Sequence, residues 1–191
     1  MSWPLLKQKE NVYWTWREHV FTDQELDKII EYGIEAGVRD ATVGVGSVDS
    51  YRASGVSWLT TDDPELDWIY ERLEPVIRNV NDEYFKFDLT EIQNLQFTTY
   101  NESNLGHYKP HLDLGQRQPN RKLTFSLQLS DPFSHEGGAL QFPYNRTEPE
   151  VAPRARGKII FFPSFMLHEV TPVTKGTRYS LVGWVSGPLF R

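Results

Sequence analysis

Hydrophobic positions along the chain change their period once, near Phe87, and the change divides a helical part from a stranded part. Upstream, Leu26, Ile29, Ile30 and Ile34 recur at helical spacing. They follow Thr22-Asp23-Gln24-Glu25, a start signal in which Thr22 caps and Glu25 is its capping-box partner, and Gly37 is the natural stop. A second helix opens at Asp63-Pro64 and lays Leu66, Ile69, Leu73, Val76, Ile77, Val80 and Tyr84 on one face. Pro75 falls inside that pattern and removes one backbone donor, which predicts a kink or a break. Glu71, Arg72, Glu74 and Arg78 read as its solvated face. Residues 41–58, rich in Gly, Ser and Val, read as a loop or an irregular hairpin, and Val12–Trp16 as a short strand or an extended cover.

Beyond Phe87 the apolar residues alternate. Leu95–Tyr100 reads as a strand, followed by a turn at Asn101–Asn104. Leu123–Leu129 alternates most cleanly: Leu123, Phe125, Leu127 and Leu129 form a packing face, and Thr124, Ser126 and Gln128 a face that meets something wet. Gly137-Gly138 leads into Ala139–Phe142, and Lys158–Phe162, Leu167–Val170 and Tyr179–Trp184 complete the stranded part. Two helices followed by many short strands make an α+β protein, a jelly roll (double-stranded β-helix) with supporting N-terminal helices. One domain is expected over 1–191, with helical support at about 22–85 and the jelly-roll core at about 92–187.

Composition narrows the chemistry. With 191 residues, 39% hydrophobic and 24% charged, the chain is long enough for a core without staples. Net charge is −6 and the basic residues are scattered, so nucleic acid and an anionic membrane surface are not expected partners. The chain has no cysteine, which excludes disulfides, thiolate metal sites and cysteine nucleophiles; any metal must be held by His, Asp or Glu. No apolar leader or membrane span is seen at the N-terminus, and a cytoplasmic location is expected.

Within Gly106-His107-Tyr108-Lys109-Pro110-His111-Leu112-Asp113, an extended backbone would put His111 and Asp113 on the same face. One further histidine would complete the two-His, one-carboxylate set of non-haem Fe(II) oxygenases. His168 stands 57 positions later in a strand-like segment, and Arg178 follows ten positions beyond it, with Ser180 on the same face. In a jelly roll the three ligands can meet at the mouth, with Arg178 deeper in the barrel. A buried guanidinium needs a carboxylate, and no acidic residue of the chain obviously supplies one. A dicarboxylic 2-oxo acid would, chelating the metal at one end and reaching Arg178 at the other. Tyr100 and Gln128 could line the same pocket.

These residues, in the run His168-Glu-Val-Thr-Pro-Val-Thr-Lys-Gly-Thr-Arg178-Tyr-Ser-Leu, resemble the 2-oxoglutarate/Fe(II) dioxygenase superfamily, specifically its prolyl 4-hydroxylase-like branch. The likeness covers roughly residues 50 to 186 and includes Gly137-Gly138-Ala139-Leu140 and Trp184. It implies that His111, Asp113 and His168 hold Fe(II), and that Arg178 holds the far carboxylate of 2-oxoglutarate. It further implies that Tyr100, Leu140, Ser180 and Gln128 line the cosubstrate pocket, and that Arg121, Trp184, Arg52, Trp58 and Tyr108 lie at the substrate entrance. Two departures stand out: Arg178 replaces the lysine usual in collagen-type members, and Gln128 replaces a second cosubstrate tyrosine. The implied partners are dioxygen and a proline-containing peptide or protein, the coproducts succinate and CO2, and ascorbate a further cofactor. Residues 41–58 would serve as a mobile cover.

Other readings stay open at this stage. The target could be peptidyl lysine, free proline or another small molecule. A metal-holding cupin without an oxo acid would not need Arg178, and a non-catalytic jelly-roll binding module would need neither Arg178 nor the triad. His107 and His135 are expected to be exposed loop residues, His19 structural or exposed, and Asp131-Pro132 a turn.

Overall fold

The structure, a computed structural model, describes residues 12–41, 51–143 and 148–189. The leader reading at the extreme N-terminus and residues 42–50 of the expected cover lie outside them, whereas the strand expected at Val12–Trp16 falls within them. In chain order, β1 (Thr15–Arg17) precedes α1 (Asp23–Glu35), and the chain returns through β2 (Arg39–Asp40), β3 (Arg52–Ala53) and β4 (Gly55–Leu59) to α2 (Asp67–Val80). The stranded part then runs through β5 (Glu91–Ile92), β6 (Leu95–Asn101), β7 (His107–His111), β8 (Arg121–Gln128), β9 (His135–Gly137) and β10 (Leu140–Phe142). It closes with β11 (Glu150–Val151), β12 (Ile159–Pro163), β13 (His168–Val170) and β14 (Val173–Ser186).

The first helix forms as its start signal predicts. Thr22 accepts from the Glu25 amide while the Glu25 carboxylate accepts from the Thr22 amide at 2.8 Å, and Gly37 leaves the helix at φ 80°. The second helix corrects one expectation. It begins with a short 3-10 turn at Pro64–Leu66 and then runs unbroken through Pro75. Pro75 and Glu71, whose carbonyl loses its partner, are both exposed, so water can satisfy the lone acceptor. Leu73 and Ile77, on either side, are buried and hold the helix down, each contributing roughly 1.5–3 kcal/mol of burial. The distortion comes later, in a π turn at Asn81–Phe85 that ends with Lys86 in the left-handed region; the Asn81 amide side chain pins the reversal by bonding both backbone groups of Phe87 at 2.9 Å.

Two antiparallel sheets follow. The larger has the order β1-β12-β8-β14-β6-β4-β2, with β5 and β9 also paired to β14, and the smaller has the order β11-β10-β13-β7-β3. The loop or hairpin expected at 41–58 thus contributes β3 to one sheet and β4 to the other. Both helices cover the outer face of the larger sheet: Leu26, Ile29, Ile69 and Leu73 pack there with Phe97, Phe125, Leu127, Phe161 and Leu181. The other face and the smaller sheet enclose a second, more aromatic core with Phe142, Phe162, Met166 and Val170. The alternation of period two therefore sorts each central strand: Phe125 and Leu181 face the helices, while Thr124, Ser126, Arg178, Ser180 and Trp184 face the space between the sheets. Helices and antiparallel sheets are packed as the α+β jelly-roll reading anticipates. Among the described residues no helix is long and apolar enough to cross a membrane.

Candidate active site

Antiparallel pairing of β7 with β13 sets His111 directly opposite His168, with ring centres 4.1 Å apart. Asp113 arrives differently from the expectation. β7 ends at His111, so Asp113 does not share its strand face; it stands in the following turn, where the Asp113 and Leu114 amides both donate to the Ser164 carbonyl at 3.0 and 2.9 Å. The turn swings the carboxylate between both rings, with Oδ1 3.8 Å from His111 Nε2 and Oδ2 3.5 Å from His168 Nε2. One ligand atom from each of the three residues falls within 4.8 Å of the others.

The rings are held in one tautomer. His111 Nδ1 lies 2.8 Å from the Lys109 carbonyl and His168 Nδ1 lies 2.9 Å from that of Met166. A carbonyl only accepts, so each Nδ1 carries a hydrogen, and Nε2 is the ring atom turned toward Asp113. Burial and the neighbouring His168, against the pull of Asp113, push His111 down to about 3, which keeps it neutral and ready to ligate. Burial raises the Asp113 carboxyl, but His168, His111, Trp184 and Thr124 together hold it below the usual carboxylate range. Thr124 donates to Asp113 Oδ2 at 2.8 Å and is itself 3.0 Å from the Ser164 hydroxyl. Trp184 Nε1 points toward the same carboxylate without closing a hydrogen bond of ordinary geometry. Tyr108 stacks on His111 with ring centres 3.4 Å apart.

Across a cavity of about 190 Å³ lies Arg178. It is 2% exposed, and among the described residues its partners are neutral: Nη2 donates to Gln128 Oε1 at 2.9 Å, Nη1 reaches Ser180 Oγ at 3.5 Å, and the Tyr100 ring lies 5.4 Å away. Burial lowers its pKa, Tyr100 opposes the shift and Arg154 adds to it. Gly138 makes room, because at φ 64° a Cβ there would stand 2.9 Å from Arg178 Cδ. Leu140, Tyr100 and Ser180 line the cavity with it. Gln128 does not: it stands behind Arg178 and orients it, a correction to the expected wall position.

Arg52, Trp58, Tyr108, Arg121 and Trp184 all line the same cavity. Three corrections concern other residues. His135 is buried in β9 with an unpartnered Nδ1, not exposed in a loop, and burial followed by the charges of Arg154 and Arg178 lowers its pKa. His107 opens β7 half-buried, where Nδ1 meets the Leu105 carbonyl. Thr124 and Ser164 were not recognised as supports of Asp113; the wet-face alternation of β8 carried the signal for Thr124, and nothing local marked Ser164. Asp131 forms the expected turn, accepting from the Phe133 amide at 2.8 Å.

Two imidazoles and a carboxylate on one side of the cavity suit a divalent non-haem metal with open positions, and a buried guanidinium without an acid on the other suits a dicarboxylate. Comparison with known proteins points the same way. Residues 95–186 match the 2OG-Fe(II) oxygenase superfamily. A PKHD-type hydroxylase of Maricaulis maris is 40% identical over 81 residues, 41% of this chain and 36% of that protein. The matches to this and three similar curated relatives span only 31% to 39% of their length. A PKHD-type hydroxylase of Crocosphaera subtropica is 29% identical over 181 residues, 88% of this chain and 76% of that one. In fold, a Pseudomonas putida prolyl-4-hydroxylase superposes with a TM-score of 0.75 at 19% identity, covering 91% of this chain and 92% of that one. A Trichoplax adhaerens prolyl hydroxylase, solved with a hypoxia inducible factor peptide fragment, gives 0.76 at 17% identity, covering 91% and 83%. That family uses Fe(II), 2-oxoglutarate and dioxygen, and the residues present fit them. Residues 95–186, just under half of the chain, thus resemble the 2OG-Fe(II) oxygenase superfamily, and the fold is the one seen in prolyl hydroxylases of known structure.

Proposed function

We propose that this protein is a 2-oxoglutarate-dependent dioxygenase that hydroxylates proline in a peptide or protein, working as one domain across residues 1–191. The observation that carries the reading is the pairing of three metal donors within 4.8 Å with a buried Arg178 that has no acidic partner among the described residues, across one cavity. A cupin that used no oxo acid would have no reason to bury that guanidinium, and a plain binding module would have no reason to gather the donors. The prolyl target comes from the solved structures named for that activity.

In this reading His111, Asp113 and His168 would hold Fe(II), and Arg178 would bind the far carboxylate of 2-oxoglutarate. When bound, the iron and the oxo acid couple decarboxylation to succinate and CO2 with transfer of one dioxygen atom to a C–H bond. The chain supplies position and dryness. The Lys109 and Met166 carbonyls fix the imidazoles, Thr124 fixes the carboxylate, and Gln128 and Ser180 aim the guanidinium. Leu140, Phe162, Val170 and Val182 keep water from the floor, and Trp58 and Trp184 line the way in for the incoming ring. Ascorbate enters as an assay reductant, and a cytoplasmic location, compatible with a chain lacking cysteine, is part of the proposal.

The test is mass spectrometry of proline peptides incubated with enzyme, Fe(II) and 2-oxoglutarate. The expected result is succinate release and a gain of one oxygen on proline. Oxidation confined to lysine or to a free amino acid would replace the prolyl target, and no succinate under any condition would sink the oxygenase reading.

A further inference from the structure

The mouth of the cavity carries two arginines that the oxo acid does not use. Arg52 lies in β3 of the smaller sheet, and Arg121 opens β8 of the larger one, so they line the opening from different sheets. Each is braced in the same way. Arg52 Nε donates to Ser54 Oγ at 2.8 Å, and its guanidinium lies 4.5 Å from the Tyr108 ring centre. Arg121 Nε donates to Gln93 Oε1 at 3.0 Å, and its guanidinium lies 3.8 Å from the Trp184 ring centre. A neutral acceptor takes the Nε hydrogen and an aromatic face takes the flat side, so the end-on pair of terminal nitrogens stays free. Among the described residues neither arginine has an acidic partner, and no hydrogen bond forms from the terminal nitrogens.

Five cations elsewhere on the surface do have an acidic partner. Arg72 is paired with Glu25, Arg78 with Glu74, Arg156 with Asp27, Lys158 with Glu18 and Lys175 with Glu136. Arg52 is 9% exposed, and Arg121 is buried enough that its pKa falls to about 10 despite the opposing charge of Asp113. Desolvating a cation without a counter-charge is unfavourable unless a ligand arrives with one. The other charges of the loaded site balance: the metal against the two carboxylates of the oxo acid, and Asp113 against Arg178. Two positive charges at the mouth are left over, in a chain whose net charge is −6.

We infer that the substrate is anionic, and that it presents a carboxylate to the terminal nitrogens of Arg121 and Arg52 beside the carbon to be oxidised. The inference rests on the oxygenase reading for the position of the reacting carbon, but the charge at the mouth is independent of whether that carbon belongs to proline. The carboxylate has two sources: an acidic side chain next to the target in a peptide, or the α-carboxylate of a free amino acid. Arg121 and Arg52 are specificity residues in either case.

The experiment is isothermal titration of protein loaded with Mn(II) and 2-oxoglutarate under argon, using three probes. These are an end-blocked Asp-Pro-Asp peptide, its Asn-Pro-Asn twin and free L-proline, followed by oxygen-gain mass spectrometry with Fe(II) in air. The acidic peptide is expected to bind about tenfold or more tightly than its amide twin, with the difference shrinking as salt rises. Arg121→Gln and Arg52→Gln should each reduce that preference, and Arg121→Lys should restore part of it. Binding of free proline in place of either blocked peptide also supports the inference and assigns the carboxylate to the amino acid. Equal affinity for the acidic and amide peptides without proline binding overturns it, as does the absence of binding by all three. Carboxylate-dependent binding without oxygen gain on proline would count against the prolyl target alone.

Discussion

The metal end of the cavity and its floor are built from opposite kinds of backbone. The metal donors come from the edges of order: His111 is the last residue of β7, His168 the first of β13, and Asp113 stands in a turn. The floor comes from the middle of long strands, with Arg178 paired to Tyr100 in β6 and Ser180 flanked by Thr98 and Gln128. Strand ends can tilt their side chains toward a common point, which convergence on one ion requires. Mid-strand positions cannot converge, but their ladder bonds hold a long side chain in one place. The floor fixes the length of what enters, and the rim fixes the chemistry done to it.

Removing a donor from the rim should have the largest effect. Asp113→Ala takes away the one anionic donor and the acceptor of Thr124, and Mn(II) affinity by titration should fall by more than the roughly 100-fold typical of losing a side chain that merely orients a ligand. An affinity within tenfold of the parent would mean that the three residues do not share an ion.

The floor should answer differently, and with a change of sign. Arg178→Met removes a buried cation that has only neutral partners, so the KM for 2-oxoglutarate should rise roughly 10- to 100-fold while Mn(II) affinity changes little. The ligand-free variant should also melt at a higher temperature, because an apolar side chain of similar length no longer carries a desolvated charge. A lower melting midpoint with an unchanged KM would make Arg178 a structural residue and dissolve the contrast between rim and floor.

Much of this was legible in the sequence, for reasons that differ between the two ends. The alternation is regular from Leu123 to Gln128 in β8 and from Arg178 to Trp184 in β14, so the inward face with Thr124, Ser126, Arg178 and Ser180 can be read off by counting. The capping box at Thr22 is equally local. At the rim, counting carries on past the point where the backbone stops obeying it. His-x-Asp reads as one strand face, yet the two amides bonded to the Ser164 carbonyl bend the chain after His111. That partner is about 50 positions away and leaves no local mark. His135 was misread for the same reason: its burial follows from the pairing of β9 with β14, a contact made across some 40 residues. Pro75 was misread because the rule for helix interiors weighs the lost bond without asking whether water can reach the orphaned carbonyl.

The smallest expected effect probes the seam between the two ends. Thr124 sits in the middle of β8, as the floor residues sit in their strands, yet its hydroxyl donates to the Asp113 carboxylate of the rim. Thr124→Val keeps the shape and the strand propensity but deletes that hydrogen bond and leaves Ser164 Oγ without it. If the regular strand disciplines the irregular turn through this one contact, Mn(II) affinity should fall roughly tenfold with the 2-oxoglutarate KM nearly unchanged. Thr124→Ser, which retains the hydroxyl, should recover most of the loss. An unchanged metal affinity in Thr124→Val would mean that the two Ser164-bound amides alone hold Asp113 in place, and that the rim needs no help from the floor.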